Sequence, residues 1–519
     1  LLSRRQRQMC IRDRFLGGFK MNYAIYKPEE IKDFELAADK IIFSEEFRRL
    51  RNKTQLFSAH KGDHYRNRLT HTLEVKAIAI SLTRAIENLL EEKFGATKLY
   101  VSQELVEAIA LGHDIGHTPF GHIGERTLQK ILKREDNLGG LIFTEDIKTS
   151  IVREAWENAI LNRTFFKHNL NSVEILKNIY ELTDEDKCPW QILDGILKHT
   201  GIQYKTDKTN NFNSIIYVLK GTAVYSQYKE YSLKDYKNAL TLEGQIVAVA
   251  DEIAQAAADI DDSLQANRVI PSVLSILPVQ AYKVPLKRLK KICLEEIKKS
   301  LIKDVVSFFQ NKIKDRQCFE DIFKQSKTGD YILTEKMIDF TGSEDTEETQ
   351  KNKKATIDRY LFCQAKNKKD FMRELSGYYK LYYIQRLIRQ EVTEAEEIRN
   401  FDSKAEHIIR QLFKAYYNNP HQLNDTVIKK IIKDYRELSK KEEFKKEIGD
   451  MQLSEMFSNK INFADFDRIV SFLKKENTIC SDSDAVVIFG NILLKNIAAY
   501  IAGMTDDFAL QQYQQLYNN

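Results

Sequence analysis

From Met21 onward, apolar residues recur at three- and four-residue intervals, the period of an amphipathic helix, and the chain is predicted to be helix after helix. His71, Val75, Ile78, Leu82, Ala85, Ile86 and Leu89 fall on one stripe, with Thr70 as the expected N-cap. A second helix, from about Gln103, carries Val106, Ile109, Ala110 and His113 on its stripe. It breaks at Gly116 and Pro119, and another helix begins near Gly121. A third, over residues 242–264, aligns Val247, Ala250, Asp251, Ala254 and Ala258. Residues 206–227 are β-branched and aromatic enough to suggest a small hairpin. Pro271, Pro278 and Pro285 cluster between two helical regions, and 271–285 is the best domain boundary, with 21–270 before it and 286–519 after it. Beyond it, 286–314 reads as a long amphipathic helix and 342–354 as a charged loop, followed by Lys/Glu-rich helix without a repeat. Runs such as 440–446 read as solvated helix faces.

Composition agrees with this pattern. Only 7 Pro and 20 Gly in 519 residues leave few turn-formers for a β-rich architecture. The 43% hydrophobic and 30% charged content is that of a globular protein with a substantial core. The six cysteines (Cys10, Cys188, Cys293, Cys318, Cys363 and Cys480) are scattered, which argues against a disulfide framework or a cysteine-built zinc site and for a reducing cytoplasm. Residues 1–20 carry a net +5, equal to the charge of the whole chain, so the remainder gives no electrostatic argument for a polyanion partner. That segment lacks a signal-peptide apolar region and resembles translated adapter sequence, with Met21 the expected start. The most apolar window, 484–504, is interrupted by Asn491, Lys495 and Asn496; it is expected to be a buried C-terminal helix, with no membrane partner.

Histidine placement changes the picture. Seven of the ten histidines (His60, His64, His71, His113, His117, His122 and His168) lie within 109 residues. A lone histidine on an apolar stripe is usually a hydrogen-bonded core residue. Here His71, the pair His113–Asp114, and Asp251 each sit on the inward face, or its edge, of a separate predicted helix. If those helices pack together, two imidazoles and two carboxylates converge, a donor set suited to a divalent Mn, Mg, Fe, Co, Ni or Zn ion.

The order and setting of these residues resemble the HD superfamily of metal-dependent phosphohydrolases. More narrowly, they are similar to deoxyguanosine-triphosphate triphosphohydrolases and related dNTPases. The matching segments are FSEEFRRLRNKTQLF (43–57), RNRLTHTLEV (66–75), LGHDIGHTPFGHIGE (111–125), KHNLNSVEIL (167–176), ILKHTG (196–201) and QIVAVADEIAQAAADIDD (245–262). The resemblance spans about residues 30–265 and implies an all-α fold, an HD helical core followed by a helical C-terminal region. It implies His71, His113, Asp114 and Asp251 as metal ligands, His122 as the catalytic histidine and Glu125 as its carboxylate partner. A carboxylate three residues on along a helix would orient the ring and raise its pKa. His117 and His168 would face the substrate, Arg68 and Lys198 would contact phosphate, and Gln55 and Asp259 would hold the sugar 3′-OH. Family members often carry an aromatic residue where this chain has Gln255, and some a histidine where it has Ala258, which leaves base preference open.

The activity implied is hydrolysis of a deoxynucleoside triphosphate, dGTP first, to deoxynucleoside and tripolyphosphate. A homo-oligomer is implied too, as is modulation by single-stranded DNA or a nucleotide effector. An HD enzyme acting on a cyclic or alarmone nucleotide would share the ligands but not the His122, Glu125 and Gln55 matches. A nucleotide sensor or single-strand binder would not require an intact ligand set.

Overall fold

The structure is a computed structural model. It describes residues 26, 28–55, 66–94, 101–132, 135–136, 138–139, 166–181, 188–200, 239, 241–265, short pieces of 299–310, 323–325, 331–333, 396–439, 463–478 and 484–517.

The N-terminal part begins with α1 (Pro28–Phe43), which has proline at its first position, Glu29 and Glu30 in its first turn and Lys40 in its last, all favourable to the helix dipole. Ser44 caps the short α2 (Glu45–Arg49), accepting the Phe47 N–H at 3.1 Å. The long α3 (Arg68–Phe94) starts earlier than the Thr70 cap predicts. Its cap is Asn67, whose Oδ1 accepts the Thr70 N–H at 3.0 Å while Thr70 Oγ1 accepts the Asn67 N–H at 3.1 Å, a reciprocal pairing that satisfies two otherwise free donors. Ser102 caps α4 (Gln103–Gly112).

Then come α5 (Gly121–Leu132), α6 (His168–Glu181), α7 (Trp190–Lys198) and α8 (Leu242–Gln265). The predicted stripes are the buried ones: Val75, Ile78, Leu82 and Ile86 on α3, Val106 and Ile109 on α4, Val247, Ala250, Ala254 and Ala258 on α8. Helix α4 is the hub, with α1, α3, α7 and α8 packed around it and α6 lying on α7.

The C-terminal part comprises α9 (Glu396–Asn418), α10 (Asp425–Ser439), α11 (Phe463–Thr478), α12 (Asp484–Ala502) and α13 (Asp506–Tyr517). It shares a hydrophobic core with α5. Leu128, Ile131 and Leu132 of α5 join Leu412, Phe413 and Tyr416 of α9, Ile431 and Tyr435 of α10, and Ile497 and Ile501 of α12. Each fully buried aliphatic or aromatic side chain contributes about 1.5–3 kcal/mol, so this shared core fixes α5 against the C-terminal helices.

Among the described residues the fold is all-α apart from one small antiparallel hairpin that the sequence pattern did not announce. In it β1 (Phe323–Gln325) pairs with β2 (Tyr331–Leu333), in register Phe323↔Leu333. Strands of three residues are too short to show a two-residue alternation. The hairpin expected at 206–227, the proline boundary at 271–285, segment 1–20, the loop at 342–354 and the run at 440–446 lie outside the described residues, as does most of 286–314. Among the described residues no helix is long and apolar enough to cross a membrane.

Candidate active site

Three elements bring the predicted donor set together. His71 lies in the first turns of α3, His113 and Asp114 follow the last turn of α4, and Asp251 lies on α8, which packs along α3 and α4. His71 Nε2 is 2.9 Å from Asp251 Oδ1, and His113 Nε2 is 3.8 Å from both Asp251 Oδ1 and Asp114 Oδ1. Donor atoms of His71, His113 and Asp114 all lie within 4.8 Å of one another.

The electrostatics suit a cation. Burial opposes ionisation of Asp114, yet Arg68 and the adjacent histidines hold its carboxyl well below the usual carboxylate range. Burial likewise opposes ionisation of Asp251, and the hydrogen bond from His71 together with the charges of His113, His71 and His199 outweighs it, so that this carboxyl too is lowered. The same contact raises His71 against its own desolvation. His113 Nδ1 is held by the Ala110 carbonyl at 2.7 Å, which leaves Nε2 buried, aimed at the carboxylates and without a hydrogen-bond partner. Two imidazoles and two ionised carboxylates with such an atom between them fit a divalent cation.

Arg68 is buried, with NH1 2.6 Å from Asp114 Oδ2, while its Nε and NH2 have no hydrogen-bond partner. His117 is buried beside it with both ring nitrogens unpartnered, and burial, Arg68 and His168 push its pKa well below the usual value, so the ring is neutral. His122, at the start of α5, is exposed on one side. Desolvation on the others, with the Arg68 charge, lowers it to about 4, and water on the open side works against that depression. This is opposite to the shift expected from pairing with Glu125.

Glu125 is engaged elsewhere. Its Oε2 accepts from the His168 backbone N–H at 3.0 Å and lies 2.5 Å from His168 Nδ1. Burial opposes its ionisation, but His168 brings the carboxyl to about 2. The carboxylate therefore orients His168 and acts on His122 only through space.

Lys198 ends α7 in a fully buried ion pair with Asp194, at 2.8 Å. Desolvation lowers its pKa and Asp194 partly offsets that. The neighbouring His199, which the sequence reading did not single out, is the residue of that segment that joins the histidines. Its Nδ1 is held by the Ile196 carbonyl at 2.7 Å, its Nε2 is 3.3 Å from His168 Nε2, and its donor atom groups with those of His113 and Asp251 within 4.8 Å. Burial, His113 and His168 lower it to about 3. The available signal was its place beside Lys198 in ILKHTG, but it lies 31 residues beyond the histidine-rich stretch.

With His199 included, six imidazoles form one row. Ring centroids are 5.8 Å apart for His71–His113, 5.0 Å for His113–His199, 5.3 Å for His199–His168, 4.4 Å for His168–His117 and 5.4 Å for His117–His122.

Two glycines permit this packing. A Cβ on Gly116 would fall 2.2 Å from the Ser172 nitrogen and 2.5 Å from the His168 carbonyl oxygen, so α6 docks on bare backbone. The Gly116 N–H donates to Ser172 Oγ at 2.9 Å and its carbonyl accepts from Asn171 at 2.8 Å. Gly121 has φ +61°, following Phe120 at φ 59°. Gln55 is half-buried with Oε1 unpartnered. Asp259 is buried two turns beyond Asp251, where desolvation and the charge of Asp262 raise it to about 7.

A family model described as "HD domain" matches residues 68–256, the span from α3 through most of α8. A Rickettsia felis protein named deoxyguanosinetriphosphate triphosphohydrolase-like is 27% identical over 493 residues, 93% of this chain and 91% of the relative. A protein of the same name from Rickettsia canadensis is 32% identical over 330 residues, 62% of this chain and 73% of the relative. Another, from Nitrobacter hamburgensis, is 35% identical over 254 residues, 48% and 52% of the two chains. These matches, on a helical core that gathers the H…HD…D residues, make this chain a member of the HD-domain family of deoxyguanosinetriphosphate triphosphohydrolase-like proteins.

Proposed function

We propose that the protein is a metal-dependent dNTP triphosphohydrolase, with dGTP the first candidate substrate, that releases deoxynucleoside and tripolyphosphate. The observation that carries this reading is Arg68. Its guanidinium is buried, anchored to Asp114 through NH1, and keeps Nε and NH2 unpaired beside the His71, His113, Asp114 and Asp251 set. Unpaired buried donors next to a cation-ready cluster match a polyanionic phosphate chain. When bound, a divalent ion held by those four residues would supply Lewis-acid polarisation of a phosphoryl oxygen.

The chain's own residues do the rest. Arg68 and neutral His117 bind phosphate oxygens. Glu125 fixes the orientation of His168 against the same surface. His122 is uncharged near neutral pH, and an arriving triphosphate raises its pKa, so that it can carry a proton to the departing 5′-oxygen. Gln55 and Asp259 accept from or donate to the sugar 3′-OH. Lys198, paired with Asp194, is assigned to the phosphate chain only as an electrostatic contributor. A homo-oligomer, a cytoplasmic location and sensitivity to single-stranded DNA or a nucleotide effector belong to the same reading.

The test is a screen of the four dNTPs and GTP with Mn or Mg, resolving products, followed by the reaction in ¹⁸O-water. Attack at the α-phosphorus puts label into tripolyphosphate and none into the deoxynucleoside. Label in the nucleoside, or a mono- or diphosphate as the primary product, overturns it.

A further inference from the structure

The C-terminal end of the helical array reaches the substrate side of the site through two buried side chains. Asp506, the first residue of α13, accepts three hydrogen bonds. Its Oδ2 takes the Thr54 N–H at 2.9 Å and the Thr54 hydroxyl at 2.5 Å, and its Oδ1 takes the Phe120 N–H at 2.8 Å. Lys53 runs the opposite way, its ammonium donating to the His117 carbonyl and to the Ala502 carbonyl, the latter at 3.0 Å. The Lys53 carbonyl in turn accepts the Arg68 N–H at 3.1 Å, and Thr54 is bridged to Asn67.

Four of the proposed substrate contacts therefore lie beside a group that these two residues hold. Gln55 follows Thr54, Arg68 is paired to Lys53, the His117 carbonyl is held directly, and His122 lies two residues past Phe120. Phe120 has φ 59°, a left-handed conformation that costs a non-glycine residue free energy and persists only where its surroundings enforce it. The Asp506 bond to its N–H supplies that enforcement. Lys53 is so desolvated that its pKa falls to about 7 even with Asp506 nearby. Buried polar groups with this many partners specify geometry strongly.

We propose that Asp506 is a positioning residue. Together with Lys53 it forms a latch by which the C-terminal helices set the 53–55 segment and the 117–121 turn for substrate. The inference rests on the dNTPase reading for its kinetic consequences but not for its structural ones.

The test uses the full chain with Asp506→Asn, which keeps the size of the side chain but turns an acceptor of three bonds into a mixed donor and acceptor. Amide hydrogen exchange across 117–121 should accelerate and metal content should hold. The value of kcat/KM for a dNTP should fall by up to about 10²-fold, the loss a misplacement of about 1 Å produces. Discrimination between a dNTP and its 2′,3′-dideoxy analogue, which reads Gln55, should narrow. If that variant does not fold, Thr54→Val removes one of the three bonds and should shift exchange and discrimination in the same direction by less.

Unchanged exchange at 117–121 in a folded variant overturns the latch. So does a lowered Tm with unchanged kcat/KM and discrimination. A wild-type protein that hydrolyses no dNTP overturns the functional reading instead, and the exchange measurement, which needs no substrate, still decides the latch.

Discussion

His113 and Asp114 are consecutive, yet they face different partners: His113 aims a bare Nε2 at the carboxylates, and Asp114 spans from that cluster to Arg68. His113→Ala or Asp114→Ala should therefore abolish bound metal and turnover together, as elemental analysis beside an activity assay would reveal. His122, at the rim, should behave differently. His122→Ala is expected to cost about 10²–10⁴-fold in turnover with metal content intact. Asp259 gives a pH signature. Its folded-state pKa, raised from 3.8 to about 7, means the native protein binds a proton that the unfolded chain has released, so its contribution to stability is lost as pH rises through that window. Asp259→Asn should stabilise the fold more at pH 8 than at pH 5, by thermal denaturation. It should also flatten a wild-type KM that changes across pH 7. The convergence of His71, His113, Asp114 and Asp251 was legible because polar residues on apolar stripes need a reason. His199 was not, since a histidine at the end of a nine-residue helix reads as an ordinary cap until α6 is seen to bring His168 to 3.3 Å from it.

Helices α5 and α6 show how elements convert a motif into a site. The sequence pattern predicted a break at Gly116 and Pro119 and a new helix at Gly121, and the structure has both. What the pattern lacks is the partner across the break. Gly116 is needed because α6 lies against it backbone to backbone, and that contact seats His168 beside His117. Gly116→Ala must push α6 away, with an expected cost of about 1–3 kcal/mol in urea denaturation. Activity should fall further than that loss implies, because His168 moves with the helix; equal effects on stability and activity would count against the seating role. The pairing of Glu125 with His168 was hidden for the same reason. Helical spacing places Glu125 near His122, and only the docking of α6 offers it a closer donor.

Over the whole molecule, α5 belongs to two structures at once: its first residues edge the histidine row and its later ones enter the C-terminal core. Phe413 of α9 is fully buried in that core. Phe413→Ala should destabilise the protein by about 3–5 kcal/mol and should loosen the site as well, so that unfolding followed at α5 and at α9 coincides. Two separate transitions would show that the parts fold independently. Amphipathic periodicity announced the helices on either side of the proline cluster but said nothing of this union, because contacts between residues hundreds of positions apart leave no local period. The separation has a consequence for synthesis. The Asp506 carboxylate that fastens Phe120 is translated 386 residues after it. At about 5–20 residues per second, that is a delay of roughly 20–80 s, and from the moment His199 is made a ribosome-bound chain carries its complete histidine row for the rest of it. Such a nascent chain is expected to be idle, and activity should appear only once the α13 segment has cleared the exit tunnel.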